Sequence, residues 1–216
     1  MAMTLGNLID FCQQAYNAVG DGFFTTPWYI SMIWRAETEL CIEGWVIEET
    51  LTNTSVSGTR ELAWPSNVLG IKEVKYDYKN LAKVPLRDDP VTTSTGSTGT
   101  PRSYAIWNNT VILYPTPSAT GDQIQLRCYM APDQLAAITD PLNVPDEYQI
   151  QLSDYVLAQM AFKDQNMMLG AVYMQTWKMA VEKARQQRRR RLRADKNACV
   201  RDVMFCDEVL DGYRPI

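Results

Sequence analysis

Hydrophobic positions in the last third of the chain recur with a helical spacing. After Pro145 there is no proline as far as Arg193 and a single glycine, Gly170. One predicted helical face holds Ile150, Leu157, Ala161, Met168, Val172 and Met179. A second set widens that face and consists of Leu152, Val156, Met160, Met167, Met174, Trp177 and Val181. A stripe this broad predicts a helical stem over residues 146–193 that other helices or another subunit must cover.

The length of this stem limits how it can fold. An unbroken helix would be about 70 Å long at 1.5 Å per residue, which is too long for a chain of 216 residues to bury in one compact domain. We therefore expect either a break within residues 165–170 or burial of part of the stem by neighbouring copies. The pattern leaves both alternatives open.

The N-terminal residues 1–52 predict a helical hairpin. A first helix is expected to begin at Thr4 or Asn7, because both residue types cap helices well. Thr26-Pro27 then provide the cap and first position of a second helix, which we expect to include residues 28–51. The inward face of the second helix is predicted to hold Tyr29, Ile33, Ala36, Leu40 and Trp45 or Ile47.

The hydrophobic period changes to that of strands in residues 53–145. Apolar residues alternate along short runs at residues 59–63, 68–78 and 123–130, which predicts strands. Residues 103–107 and 110–114 are expected to form a hairpin with a turn at Asn108-Asn109. Residues 88–102 are polar and rich in Gly, Ser and Thr, which predicts a loop long enough to project as an arm. This order predicts an α+β fold that is mainly helical, with a helix hairpin, a small inserted antiparallel β-sheet, long C-terminal helices and an extended C-terminal tail. Residues 1–193 are expected to form one structural domain.

Candidate reactive groups are few. The chain contains no histidine, which removes the commonest general base and the commonest zinc ligand. It has no phosphate-binding loop and no serine nucleophile motif. Neighbouring acids, such as Glu37 with Glu39 and Glu48 with Glu49, are expected on solvated helix faces. We therefore expect no enzyme activity, no cofactor and no metal site.

Cysteine usage and hydropathy indicate an intracellular protein without a membrane partner. The five cysteines form no CxxC pair, so buried free thiols in a reducing compartment are expected. No apolar run is long enough to predict a transmembrane helix. The first residues carry no basic and apolar pattern of a secretory signal.

Cations are concentrated at the end of the stem, although the formal net charge is −4. The run consists of Arg185, Arg188, Arg189, Arg190, Arg191 and Arg193. Three interpretations are open: a solvated helix end favoured by the helix dipole, a contact with nucleic-acid phosphates, and a contact with an acidic surface of a partner protein.

Residues 194–216 form a tail with no clear helical or strand period. Its apolar residues are Val203, Met204, Phe205, Val209, Leu210 and Tyr213. They are too many for a solvated tail, so we expect them to dock. Packing back on the same domain and docking on another chain are both possible, and we favour the second.

The order of elements and a central sequence phrase resemble the head-to-tail adaptor (connector) proteins of tailed bacteriophages. The phrase includes a strand that ends in a Tyr-Pro-x-Pro turn at Tyr114–Pro117, followed by a strand at Gln123–Tyr129. A polar linker at Pro141–Pro145 then leads into the long helices. The segment ELAWPSNVLGIKEV likewise resembles the family's step into its second strand. The resemblance covers most of the chain as an architecture.

The resemblance implies a structural protein of the virion neck, made in the host bacterial cytoplasm. Such adaptors form a homo-oligomeric ring, commonly a dodecamer, beneath the portal protein, with a tail or nozzle protein below. It implies that the 194–216 tail is the portal anchor, and that the arginines meet portal acids or genomic DNA in the channel. The alternative function is a nucleic-acid-binding, packaging-associated module that uses the arginine run.

Overall fold

The computed structural model describes residues 3–20, 22–86 and 97–198, with side chains placed as far as Arg191. The helices are α1 Leu5–Ala15, α2 Thr26–Gly44, α3 Asp146–Gln149, α4 Leu152–Lys163 and α5 Met167–Ala198. The strands are β1 Glu48–Thr54, β2 Glu61–Ala63, β3 Val68–Tyr76, β4 Lys79–Asn80, β5 Ala82–Lys83, β6 Thr98–Gly99, β7 Ser103–Trp107, β8 Thr110–Tyr114, β9 Thr116–Pro117 and β10 Gln123–Met130. The apolar tail residues and residues 88–96 of the polar loop lie outside the described residues.

The expectation of a mainly helical fold with a small inserted sheet was wrong. Within the described residues, the protein is a mixed α+β fold with 40% helix, 26% strand and three sheets. One four-stranded sheet has the order β1-β10-β3-β4, a second has the order β2-β8-β7-β5, and β6 pairs with β9. The larger sheets are antiparallel except that β5 runs parallel to β7, and the β6-β9 pair is also parallel.

Strand β1 accounts for part of this difference, because its residues were expected to continue the second helix. α2 ends at Gly44, and Trp45 adopts a left-handed backbone conformation with φ 50°. Glu48–Thr54 then pairs along its whole length with β10. It lies at the edge of its sheet, where charged side chains reach solvent and are well tolerated.

The two four-stranded sheets enclose a core of their own. Alternate residues Ile124, Leu126, Cys128 and Met130 of β10 point into it and meet Val111 and Leu113 of β8. The opposite face of the second sheet buries Ala105, Ile112 and Tyr114 beneath Val84 and Leu86. The predicted face of Ile124, Leu126 and Cys128 on β10 is therefore confirmed, whereas β8 is buried on both faces.

The helices enclose the other large core. Thr4 caps α1 by accepting a hydrogen bond from the Asn7 amide at 3.3 Å. The predicted inward face of α2 is confirmed for Tyr29, Ile33, Ala36 and Leu40, which are fully buried, whereas Trp45 and Ile47 lie beyond the end of the helix at Gly44. Ile47 packs against this core and against the core between the sheets.

The stem consists of two helices separated by a turn. α4 ends at Lys163, Gln165 has φ 60°, and α5 begins at Met167. Trp177 of α5 is fully buried and meets the Tyr155 ring of α4 at a centroid distance of 5.5 Å. A Cβ atom on Gly170 would lie 2.4 Å from the Phe162 ring, so glycine allows the two helices to approach here.

The turn between α4 and α5 is tied to the turn between α1 and α2. The Lys163 ammonium donates a hydrogen bond to the Phe23 carbonyl at 2.6 Å. It also lies over the Phe23 ring, 4.3 Å from the ring centroid. The cation–π contact and the hydrogen bond therefore hold the α4–α5 turn against the α1–α2 turn.

Candidate interaction surface

The second half of α5 crosses the junction between α2 and β1. A Cβ atom on Gly44 would lie 2.8 Å from the Ala184 Cβ, so the helices approach closely at this point. Next to Gly44, the Trp45 ring packs against the Tyr129 ring at 4.7 Å between centroids, with an angle of 31° between the ring planes. It also covers Gly70, where an added Cβ would lie 3.4 Å from the indole. The junction therefore presents the Trp45 ring and nearby carboxylates to α5.

Three of the predicted arginines contact this junction. Arg185 donates to a Glu43 carboxylate oxygen at 2.6 and 3.2 Å, and it pairs with Glu182 at 3.0 Å. The guanidinium carbon of Arg188 lies 3.4 Å from the centroid of the Trp45 ring, and Arg188 also donates to the Glu43 carbonyl at 3.3 Å. Arg191 pairs with Glu48 at 3.4 Å. The spacing of three residues places all three arginines on the inward side of the helix.

The electrostatics differ among these three positions. Glu43 raises the pKa of Arg185, mainly through the hydrogen bond and the opposite charge. Burial lowers the pKa of Arg188, although an arginine remains charged at any physiological pH. Since the Arg185–Glu43 pair is about 39% exposed on both sides, it contributes at most about 1 kcal/mol. Stacking on Trp45 gives Arg188 the larger structural role.

The other arginines lie elsewhere on the helix. Arg189 and Arg190 are exposed and make no ion pair within the described part of the chain. The side chain of Arg193 is outside the described residues. Contact of the six arginines with DNA or with an acidic partner therefore stays a prediction, and Arg189 and Arg190 are the described members free to make it.

The single apolar face predicted for the stem was wrong. Leu157 and Ala161 of α4 are buried, whereas Met168, Val172 and Met179 of α5 are 85%, 60% and 60% exposed. The turn after α4 separates the two helices, so a periodicity counted across it does not describe one face. Ile150 precedes α4 and is also exposed, at 44%.

The flanking set forms most of the buried side of the stem. Leu152, Val156, Met160, Trp177 and Val181 are buried, whereas Met167 is exposed. The five buried residues belong to the helical core. The broad stripe thus divides into an inward face that the chain covers itself and an outward face on α5 that the described residues leave open.

A buried carboxylate lies beside the linker before α3, contrary to our expectation that the acidic pairs are solvated. Glu37 is fully buried, and Glu39 is exposed as expected. The Asn143 backbone N–H and side-chain amide each donate to one Glu37 oxygen at 2.8 Å. Burial raises the pKa of Glu37, and the hydrogen bonds from Asn143 oppose that rise. A carboxylate held on both oxygens by linker donors has a structural role, and no sequence period distinguishes it from an exposed helical acid.

The described residues hold no cluster typical of a metal site. No group of three or more acidic, cysteine or histidine side chains converges there. Cys12, Cys41 and Cys128 are buried free thiols, and burial raises the pKa of Cys12 to about 12. A shallow open cleft is lined by Val46, Ile47, Glu48, Asn143, Val144, Pro145 and Arg191. Its charged groups already form an ion pair, so no reactive group converges in it.

Among the described residues, the surface of α5 with its arginines is therefore the candidate functional region, and no pocket with converging reactive groups competes with it. An exposed apolar stripe next to unpaired cations is typical of a protein that binds other macromolecules. No helix within the described ranges has the length and apolar character needed to span a membrane.

Comparison with known families agrees with this class. The chain belongs to the SU10 adaptor protein family, whose profile matches residues 3–199. Membership indicates a phage structural adaptor that is associated with the virion and interacts with other virion proteins, and it indicates a role that is not enzymatic. The expectation of a phage adaptor is confirmed at this level. Comparison with curated proteins gave no match.

Proposed function

We propose that this protein is a head-to-tail adaptor that forms a ring beneath the portal and joins it to the tail. Family membership over residues 3–199 is the observation that carries the proposal. A ring gives each copy two neighbours, and the exposed apolar residues Met168, Val172 and Met179 supply a surface that a neighbour could bury. Closure of the ring, commonly with twelve copies, would set the copy number.

The proposal assigns the portal contact to the C-terminal tail. Residues Val203, Met204, Phe205, Val209, Leu210 and Tyr213 would dock on the portal. They are apolar and aromatic, which suits anchors in a partner groove. Residues 98–99 of the predicted arm pair as β6 with β9, so only the remainder of the 88–102 loop is proposed to meet a neighbouring copy or a tail or nozzle protein.

Deletion of residues 203–216 tests the portal contact. We expect the truncated protein to keep its circular dichroism spectrum, because the described cores do not use these residues. We expect it to lose binding to the purified portal in a sedimentation or pull-down assay. Unimpaired portal binding by the truncated protein would refute the assignment of the anchor.

The arginine run offers a second function, contact with DNA in the channel or during packaging. The observation that favours it is the exposure of Arg189 and Arg190. Phosphate contacts make affinity fall steeply with salt. Replacement of both arginines by alanine should therefore reduce the affinity for duplex DNA and flatten its salt dependence. A DNA affinity that is absent at low salt, or unchanged in this variant, would remove the second function.

A further inference from the structure

The outward side of α5 carries one continuous stripe that changes from apolar to basic. Its members are Met168, Val172, Met179, Lys183 and Arg190. Steps of four and seven residues alternate along this series, so all five side chains lie on one helical face. The stripe is about 33 Å long at 1.5 Å per residue. We call this face the outward stripe.

The outward stripe lacks a partner within the described residues. Its three apolar members are at least 60% exposed, although Trp177, Val181 and Ala184 on the opposite side are buried. Lys183 and Arg190 are exposed, and neither makes an ion pair in the described ranges. Exposed methionine and valine side chains on one helix face are costly in water unless something covers them.

The chemistry of the stripe defines what would cover it. A nucleic-acid backbone would satisfy Lys183 and Arg190, but its phosphates offer nothing to the apolar half. A peptide segment with apolar and acidic residues would match both halves, because apolar anchors would cover Met168, Val172 and Met179 while carboxylates meet the cations.

The chain itself contains such a segment. Residues 199–216 hold the six apolar residues named above, and their acidic residues outnumber the basic ones. The acidic residues are Asp202, Asp207, Glu208 and Asp211, and the basic ones are Arg201 and Arg214. The segment follows Ala198, where α5 ends, beyond the basic end of the stripe.

The reach of this segment is sufficient. Fully extended, residues 199–216 span at most about 65 Å at 3.3–3.6 Å per residue. The axial distance from Ala198 back to Met168 is about 45 Å along the helix. A segment that leaves α5 at its basic end and turns back therefore passes Arg190 and Lys183 first and reaches the apolar half afterwards.

We propose that, in the free protein, residues 199–216 dock on the outward stripe of α5 in the same chain. The inference goes beyond the proposed function, because it concerns the protein before assembly and does not require the portal. If the same residues also anchor on the portal, the stripe and the portal compete for them. Release of the tail then uncovers the apolar half of the stripe for a neighbouring copy.

Thiol labelling of the full chain tests this docking. Cys206 lies in the middle of the segment. In a Cys199→Ser variant the remaining thiols, Cys12, Cys41 and Cys128, are buried and provide a slow background. We expect a maleimide to alkylate Cys206 of this folded variant at least about tenfold more slowly at low salt than in a free peptide of residues 199–216 with the same Cys199→Ser change, because the docked state must open first.

Two variants in the same background show whether the stripe is responsible. Charge reversal by Lys183→Glu with Arg190→Glu should return the rate to that of the peptide, and so should Val172→Asp. The matched controls change exposed residues away from α5, Lys79→Glu with Lys83→Glu and Val56→Asp, and should leave Cys206 protected. An unchanged circular dichroism spectrum verifies that each variant is folded.

Three results would overturn the proposal. A peptide-like rate in the native protein would show that the segment does not dock. Protection that survives both stripe variants would place the segment on another surface. Protection that increases with protein concentration would assign the stripe to a segment from a second copy. Because no portal is present, each of these results leaves the proposed head-to-tail function untouched.

Discussion

Two consecutive arginines, Arg188 and Arg189, provide a matched test of how the arginine run is used. We predict that Arg188→Ala lowers the stability of the fold and that Arg189→Ala does not. The guanidinium carbon of Arg188 lies 3.4 Å from the centroid of the Trp45 ring, and Arg188 donates to the Glu43 carbonyl, whereas Arg189 is exposed. Both substitutions remove one positive charge from adjacent positions, so their difference reports only the inward contacts.

The magnitude follows from those contacts. A partly buried cation–π contact is worth about 1–2 kcal/mol. The hydrogen bond to the Glu43 carbonyl, which is long at 3.3 Å, adds about 0.5 kcal/mol. We therefore expect Arg188→Ala to cost about 2 kcal/mol, which corresponds to roughly 4–8 °C in unfolding temperature for a chain of this size. Arg189→Ala should remain within about 0.5 kcal/mol of the parent.

Thermal unfolding followed by circular dichroism and urea denaturation at one salt concentration measure both values. Arg188→Lys serves as a further control, because it keeps the charge but loses the planar stacking group, and should lie between parent and alanine variant. Equal effects of the two alanine substitutions, or a larger effect at Arg189, would refute the assignment of Arg188 to a structural contact.

Three further predictions concern the packing of the helical layer. Gly44→Ala should destabilise the fold by about 1–3 kcal/mol despite the better helix propensity of alanine, because its Cβ would meet the Ala184 Cβ at 2.8 Å. Adding Ala184→Gly should restore part of this loss in urea denaturation. Strictly additive free-energy changes of the two substitutions would contradict the close contact. Burial raises the pKa of Glu37, so between the unfolded and folded pKa values the folded protein binds a proton that the unfolded chain has released. The difference in free energy of unfolding between the parent and Glu37→Gln should therefore be largest near pH 4 and fall as pH rises through the folded pKa. A difference that increases with pH would contradict this. Lys163→Met should lower the unfolding temperature by a few degrees, about 1 kcal/mol, through loss of the Phe23 contacts; an unchanged temperature would show that these contacts are not stabilising.

The sequence predicts well those elements whose pattern is local. The turn at Asn108-Asn109 between β7 and β8 and the alternation along β10 were found, because a period of two identifies a half-buried strand. The inward face of α2 was found for the equivalent reason with a helical period. In both cases the burial of a residue depends on neighbours within a few positions of it.

Features that depend on distant partners were missed. The sequence of Glu48–Thr54 is compatible with the end of a helix. It forms a strand because it pairs with β10, which lies far along the chain. Glu37 is distinguished from a solvated acid only by Asn143, which belongs to the linker before α3. The apolar face of the stem was misassigned because the chain turns at Gln165, where no proline marks the break in the sequence. The helical periodicity counted before this turn does not continue after it.

The candidate surface was partly predictable. Composition identifies the arginine run, but it does not separate the three arginines that hold α5 on Trp45, Glu43 and Glu48 from those that face outward. That separation depends on the phase of α5, which the close approach of Gly44 and Ala184 fixes. The exposed stripe follows from the same phase.

The mass of the purified protein, alone and after mixing with its portal, tests the central claim most directly. Sedimentation velocity or native mass spectrometry would measure it, and electron microscopy of the mixture would show the arrangement. The account predicts that several copies join each portal assembly and that they form a closed ring on one side of it. A protein that keeps its own mass in the mixture, with no copies bound to the portal, would contradict the account.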